Sequence, residues 1–203
     1  KTDTEVILNS YIEWGEKCLD KFNGMWAFAI YDTMDNEIFF SRDRFGIKPF
    51  YYFQKKGYFI FASEIRPILS AIKELGLEDD VDANYQMIFD YLVFNRTDHT
   101  NQTFFNNIFK LEHGNFIRIK LDNKNTIKNS VSFNKWYDIS DAVKKAIPFT
   151  DSKQFKQSFL SSIGLRLRSD VPIGVCLSGG LDSSSIVSCL VNDHNLHNLN
   201  TFS

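Results

Sequence analysis

The stretch from Pro172 to Val191 restricts what this chain can fold into more than any other. Pro172–Leu177 is a compact apolar run of strand length, Ser178-Gly179-Gly180 follows at once, and residues from about Ser183 to Val191 carry a helical pattern. Strand, glycine loop and helix in immediate succession are the opening of an α/β nucleotide-binding unit. A loop that leaves a buried strand and enters a helix presents free backbone N–H groups at the positive end of the helix dipole. That is an anion site, and phosphates use it. Gly179 and Gly180 permit positive φ and close approach of the backbone to an oxyanion. Ser178, Ser183 and Ser184 add hydroxyl donors. Asp182 is an odd neighbour for a phosphate unless a cation lies between them, and Mg²⁺ is the expected one.

The loop is not a Walker A motif, because it lacks the Gly-Lys-Ser/Thr that such a motif needs. It resembles instead the PP-loop of the ATP pyrophosphatases, which cleave ATP to AMP and pyrophosphate and activate a carboxylate or carbonyl by adenylation. A glycine-serine turn opening any Rossmann-like helix is the plain structural alternative. Several families share the loop, so it does not name the reaction.

The residues upstream have a different character. Thr2 and Glu5 have capping-box spacing, Ile7, Tyr11 and Trp14 recur at helical intervals, and Gly15 is a stop. Cys18, Leu19 and Phe22 suggest a short second helix. Met25–Tyr31, Glu37–Ser41, Pro49–Phe53 and Tyr58–Ala62 are aromatic-rich runs about ten residues apart, which read as an antiparallel meander. They are apolar on both faces, as in a sheet covered on both sides. The 20 phenylalanines of the 203 residues predict a core of aromatic packing. Ser63 is placed to cap a helix that carries Ile65, Ile68, Leu69, Ile72 and Leu75 and ends near Gly76. A further helix is expected from about Asn84 to Val93, and a strand at Asn115–Leu121. Residues 122–150 are polar and irregular, and 126–150 read as a linker. From Asp151 to about Arg168 an amphipathic helix carries Phe155, Phe159, Ile163 and Leu167 on one stripe.

Bulk properties exclude several classes. A formal net charge of −2 gives no dominant attraction to nucleic acid or acidic membrane. No apolar run approaches the roughly 18–20 residues of a membrane span. Cys18, Cys176 and Cys189 lie far apart without CxxC spacing, which argues against a zinc site or a disulfide framework and for a reducing, cytoplasmic setting. Lys1 in place of an initiator Met, and a final Leu199–Ser203 that reads as the start of a strand, lead us to expect a piece cut at both ends.

Five strings, in order, carry a more specific resemblance: Asp3-Thr4-Glu5-Val6-Ile7-Leu8, Phe22-Asn23-Gly24-Met25-Trp26-Ala27-Phe28-Ala29-Ile30, Arg42-Asp43-Arg44-Phe45-Gly46-Ile47-Lys48-Pro49, Phe61-Ala62-Ser63-Glu64 and Ser169-Asp170-Val171-Pro172-Ile173-Gly174-Val175. The first four resemble the class II glutamine amidotransferase domain of the glutamine-hydrolysing asparagine synthetases, and the fifth is similar to the synthetase domain of the same family. The resemblance implies an α+β domain over 1–125, part of an N-terminal-nucleophile αββα sandwich. A linker over 126–150 and, over 151–203, the start of a Rossmann-like α/β ATP pyrophosphatase domain would follow.

By that resemblance, ATP and Mg²⁺ are the cofactors and glutamine, aspartate and ATP the small-molecule partners, without nucleic acid or membrane and with a homodimer as a possible assembly. Aspartate is converted to β-aspartyl-AMP, and ammonia from glutamine displaces AMP. The family's catalytic cysteine stands at the very first position. None of the three cysteines here is terminal, so no catalytic residue is assigned and the piece itself is expected to be inactive. Asp3 matches the aspartate that binds the α-ammonium of glutamine, though an acid at a helix start has a dipole role of its own. Cys176, through its backbone, and Ser178, Gly179, Gly180, Asp182, Ser183 and Ser184 match the ATP and pyrophosphate site, with Mg²⁺ near Asp182. From its place in a strand, the Cys176 thiol is expected in the core. Arg42, Asp43, Arg44 and Lys48 read as an ion-paired turn or as the lining of a substrate route, and Glu64 as a helix cap. Relatives that use another carboxylate, such as β-lactam synthetases, share both domains and remain the alternative.

Overall fold

A computed structural model describes residues 2–122, 126–127 and 131–203. The first helix, α1 (Asp3–Trp14), starts where Thr2 Oγ1 accepts the N–H of Glu5 at 3.4 Å and ends at Gly15, whose φ of 54° reverses the chain. A 3₁₀ turn leads into the short α2 (Cys18–Lys21).

Two hairpins follow. In the first, β1 (Ala27–Asp32) pairs antiparallel with β2 (Glu37–Arg42), and Asp32 Oδ1 accepts the N–H groups of Met34 and Asp35 in the turn. In the second, β3 (Tyr51–Lys55) pairs with β4 (Tyr58–Ala62) across Lys56 and Gly57, both at positive φ as a two-residue hairpin turn requires. The expected single meander does not form. The hairpins belong to different sheets: β1-β2-β6-β7 in one and β4-β3-β5 in the other. Their partners come from far along the chain, β5 (Ile108–Lys110) beside β3 and β6 (Asn115–Lys120) beside β2.

Strand alternation then sorts the aromatic residues into layers. Phe39, Phe116, Ile30 and Trp26 face α1 and α2, packing on Cys18, Leu19 and Tyr11. Phe40, Ile117 and Ile119 of one sheet meet Phe50, Tyr52 and Leu111 on the side of the other. Phe53 and Ile108 turn outward onto Ile68 and Ile72 of α3 (Ile65–Glu74). The order is helix, sheet, sheet, helix.

Of three local expectations, two need correction. Ser63 does not cap α3; Glu64 occupies the cap position, without a side-chain cap bond. Asn84 does cap α4 (Tyr85–Phe94), its side chain accepting the N–H of Met87. The stretch 122–150 is not irregular throughout. Residues 132–135 form β7 (Ser132–Lys135), paired with β6, and Asp138 Oδ1 starts α5 (Ile139–Lys145) by accepting the Ser140 N–H. The expected boundary at residue 125 lies outside the described residues.

The chain divides into two compact units, 1–145 and 146–203. In the second, Asp151 caps α6 (Ser152–Arg166). There β8 (Gly174–Cys176) is joined through α7 (Leu181–Asn192) to the parallel β9 (Asn200–Phe202). Of the stripe expected on α6 only Ile163 is buried, and Phe155 is exposed. Among the described residues no helix is long and apolar enough to cross a membrane.

Candidate functional site

The predicted loop is present as drawn from the sequence. Leu177, past the end of β8, donates to the Phe202 carbonyl at 2.7 Å, and the chain turns at Gly179, whose φ is 78°. A side chain at 179 would be strained by that φ. Gly180 takes the cap position of α7 with no side-chain cap bond. The N–H groups of Leu181, Asp182 and Ser183 open the helix and have no acceptor one turn earlier, the first such bond being Ser184 N–H to the Gly180 carbonyl at 3.1 Å. Ser178 and Ser183 bridge the loop, Oγ to Oγ at 3.2 Å. Ser183 Oγ also donates to the Gly180 carbonyl at 3.2 Å. Ser178, Gly179, Gly180, Asp182 and Ser184 are exposed and Ser183 half-buried, so the loop brings together one polar, accessible surface.

Cys176 departs from expectation. It ends β8 but its side chain is exposed. A two-stranded parallel sheet lacks the covering layers that normally bury such strands, so strand position alone did not fix its burial.

In the first unit, four of the strings singled out by sequence converge on one groove of about 460 Å³. Thr4 and Ile7 come from α1, Met25–Ala29 from the start of β1, Lys48–Phe50 from the turn before β3, and Phe61–Ser63 from the end of β4. Most of the lining is apolar, and Lys48 is the lone charged residue in it among the described residues. Asp3 stands exposed in the first turn of α1, next to Thr4. Another hollow, about 390 Å³ near Asp82 and Phe109, is lined by amides that already bond one another or a neighbouring carboxylate, Asn84 to Gln102 at 2.9 Å and Asn106 to Asp82 at 2.8 Å.

In the charged turn between β2 and β3, both arginines bond backbone carbonyls rather than carboxylates. Arg42 donates to the carbonyls of Lys48, Leu111 and Gly46. Burial lowers its pKa from the usual arginine value. Arg44 donates to the carbonyls of Phe22, Leu19 and Asp20 and lies over the Trp136 ring at 4.9 Å. The expected ion pairs are thus replaced by arginine–backbone bonds. The groove itself was not predicted, because its walls are about sixty residues apart in sequence. The shared membership of its lining residues in the singled-out strings was the available signal.

Comparison with known proteins agrees with both units. The glutamine amidotransferase domain family matches residues 1–132, and the asparagine synthase family matches residues 154–203. The chain is 37% identical over 206 residues to the putative asparagine synthetase [glutamine-hydrolyzing] 2 of Methanocaldococcus jannaschii, covering all of this chain and 38% of that protein. It is 34% identical over 188 residues to asparagine synthetase [glutamine-hydrolyzing] 3 of Bacillus subtilis, covering 92% of this chain and 28% of the relative. A further Bacillus subtilis relative, asparagine synthetase [glutamine-hydrolyzing] 1, is 32% identical over 202 residues, covering all of this chain and 30% of its own length. The chain therefore spans between 28% and 38% of the length of these relatives. It belongs to the glutamine amidotransferase domain family, with a segment that matches the asparagine synthase family following in the same chain.

Proposed function

We propose that the full-length protein carrying this chain makes asparagine from aspartate, glutamine and ATP. The observation behind the reading is the coexistence, in one chain, of a groove built from four amidotransferase strings and an open glycine loop at a helix N-terminus. The first unit is read as part of an N-terminal-nucleophile fold and the second as the start of a PP-loop domain. Supporting the first is the helix–sheet–sheet–helix order of its cores. Supporting the second is the parallel β8-α7-β9 arrangement.

In the second unit, the loop would hold the β- and γ-phosphates of ATP. The open N–H groups of Leu181, Asp182 and Ser183, the hydroxyls of Ser178, Ser183 and Ser184, and the backbone at Gly179 and Gly180 are donors of the kind a polyphosphate needs. The Cys176 backbone would flank the nucleotide. No group of three or more His, Cys, Asp and Glu side chains converges among the described residues, so a cation here would need phosphate oxygens to complete its shell. The exposed Asp182 carboxylate beside a phosphate cradle fits Mg²⁺, which is commonly held by one or two carboxylates plus substrate phosphates. Bound there, Mg²⁺ would neutralise charge on the leaving pyrophosphate.

The β-carboxylate of aspartate attacks the α-phosphorus of ATP, breaking its bond to the β-phosphate bridge and releasing pyrophosphate. Ammonia, formed with glutamate by hydrolysis of glutamine, attacks the acyl carbon of β-aspartyl-AMP, and AMP leaves. The backbone and hydroxyl donors of the loop are fixed before reaction, so they would stabilise charge as it develops on the pyrophosphate. In the first unit, the groove would lie on the glutamine side, with Asp3 receiving the α-ammonium. The nucleophile and the remaining glutamine ligands would come from outside this chain. The three cysteines are free, which supports a reducing cytoplasmic setting, and a homodimer is compatible with the reading.

Asp182→Ala in the full-length protein tests the assignment. Aspartate-dependent pyrophosphate release should be lost while glutamine hydrolysis continues. Pyrophosphate release at the wild-type rate would remove Asp182 from the nucleotide site.

A further inference from the structure

Asp43 is fully buried in the turn between β2 and β3, and among the described residues its carboxylate touches no other charged side chain at hydrogen-bond range. It accepts four backbone N–H groups instead. Oδ1 takes Phe45 at 3.0 Å and Ile47 at 3.1 Å, which folds the turn over the carboxylate. Oδ2 takes Lys48 at 3.0 Å and Trp26 at 3.3 Å. Those two donors stand on different walls of the groove: Trp26 precedes Ala27–Ala29, and Lys48 leads into Pro49 and Phe50. The Asp43 N–H returns to the Trp26 carbonyl at 3.0 Å, closing a ring between the two segments. One carboxylate oxygen therefore ties wall to wall.

From this geometry we infer that Asp43 is the positioning residue that sets the spacing of the groove walls, and so the affinity for glutamine, without touching the substrate. The inference rests on reading the groove as the glutamine side. The turn is sensitive by construction. Gly46 sits at a φ of 64°, and a Cβ there would stand 3.0 Å from Arg42 Cζ. The three carbonyl bonds of Arg42 hold the turn from the other side.

Asp43→Asn is nearly isosteric but replaces one acceptor oxygen by an NH₂ group. Whichever way the amide lies, two of the four N–H groups face a donor. In the full-length protein the KM for glutamine should rise about tenfold, the size expected when a buried N–H loses its acceptor. Asparagine formation with ammonia supplied directly bypasses the groove and should stay within about twofold of wild type, a margin well under that expected loss. A generally damaged protein would lose both activities together, so this split separates positioning from mere structural support. Gly46→Ala displaces the same turn while keeping the carboxylate, and should raise the glutamine KM by a smaller factor. If Asp43→Asn does not fold, Gly46→Ala decides. A folded variant with wild-type glutamine KM, or with both activities reduced in proportion, overturns the role given to Asp43. If the wild-type protein uses ammonia but never glutamine, the reading of the groove fails, whatever the variants do.

Discussion

Truncating Phe40 to Ala should remove more stability than truncating Phe61, although the two rings touch. Their centroids are 4.8 Å apart in an edge-on contact. Phe40 is fully buried between the sheets, against Phe50 at 5.8 Å and Phe59 at 5.3 Å, with Ile117 and Leu111 in the same core. A buried Phe cut to Ala costs about 3–5 kcal/mol, the sum of lost transfer energy and the cavity left behind. Phe61 is 43% exposed. Its removal opens onto solvent, so most of the cavity cost is absent and about half the transfer energy remains, roughly 0.8–1.5 kcal/mol. All three tryptophans, Trp14, Trp26 and Trp136, lie in the first unit, so their fluorescence reports its unfolding alone. With a urea slope of about 2 kcal/mol per M, the midpoint should fall by about 1.5–2.5 M for Phe40→Ala and by about 1 M or less for Phe61→Ala. Equal shifts, or a larger one for Phe61→Ala, would refute the placing of Phe40 at the centre of the inter-sheet core.

Two further outcomes follow from titrating groups. The pKa of Asp138 is pulled down to about 2, first by Lys135 at 2.8 Å and then by the N–H groups of Asp141 and Ser140. A carboxyl depressed in the folded state stabilises above its ordinary value near 4 and loses that contribution as pH falls toward 2. Amide-exchange protection of α5 should accordingly drop between about pH 4 and pH 2, and Asp138→Asn should flatten that profile; an unchanged profile in the variant would contradict the cap. Burial pushes the Cys18 thiol up to about 11. At pH 8, iodoacetamide should label the exposed Cys176 of the folded chain and reach Cys18 only on unfolding, as peptide mapping would show.

Legibility in the sequence followed sequence distance. The loop at Ser178–Ser184 could be read because strand, glycine pair and helix are adjacent, so local chemistry determines the geometry. The strands of both hairpins could be read from their aromatic-rich runs of strand length. What could not be read was that the segment between them, Asp43–Phe50, is no hairpin turn. Its eight residues wrap around one buried carboxylate and deliver β3 to a second sheet. The sheet partners β5 and β6 face residues that are about 55 to 85 positions earlier in the chain, and period-two patterning carries no information on which strand pairs with which. The charges of Arg42 and Arg44 suggested ion pairs because carboxylates are visible in a sequence and backbone carbonyls are not. The burial of Cys176 was misjudged for a related reason: strand position predicts burial only when the covering layers are in place.

On the proposed reading, the groove of the first unit serves the nitrogen donor and the loop of the second serves ATP cleavage. The most direct test follows the atoms. The full-length protein is supplied with aspartate, ATP and glutamine labelled with ¹⁵N in the side-chain amide, and products are read by NMR and nucleotide chromatography. The ¹⁵N should appear in the side-chain amide of asparagine, with AMP and pyrophosphate formed in equal amounts. ADP and phosphate in their place, or ¹⁵N that never reaches asparagine, would contradict the proposed reading.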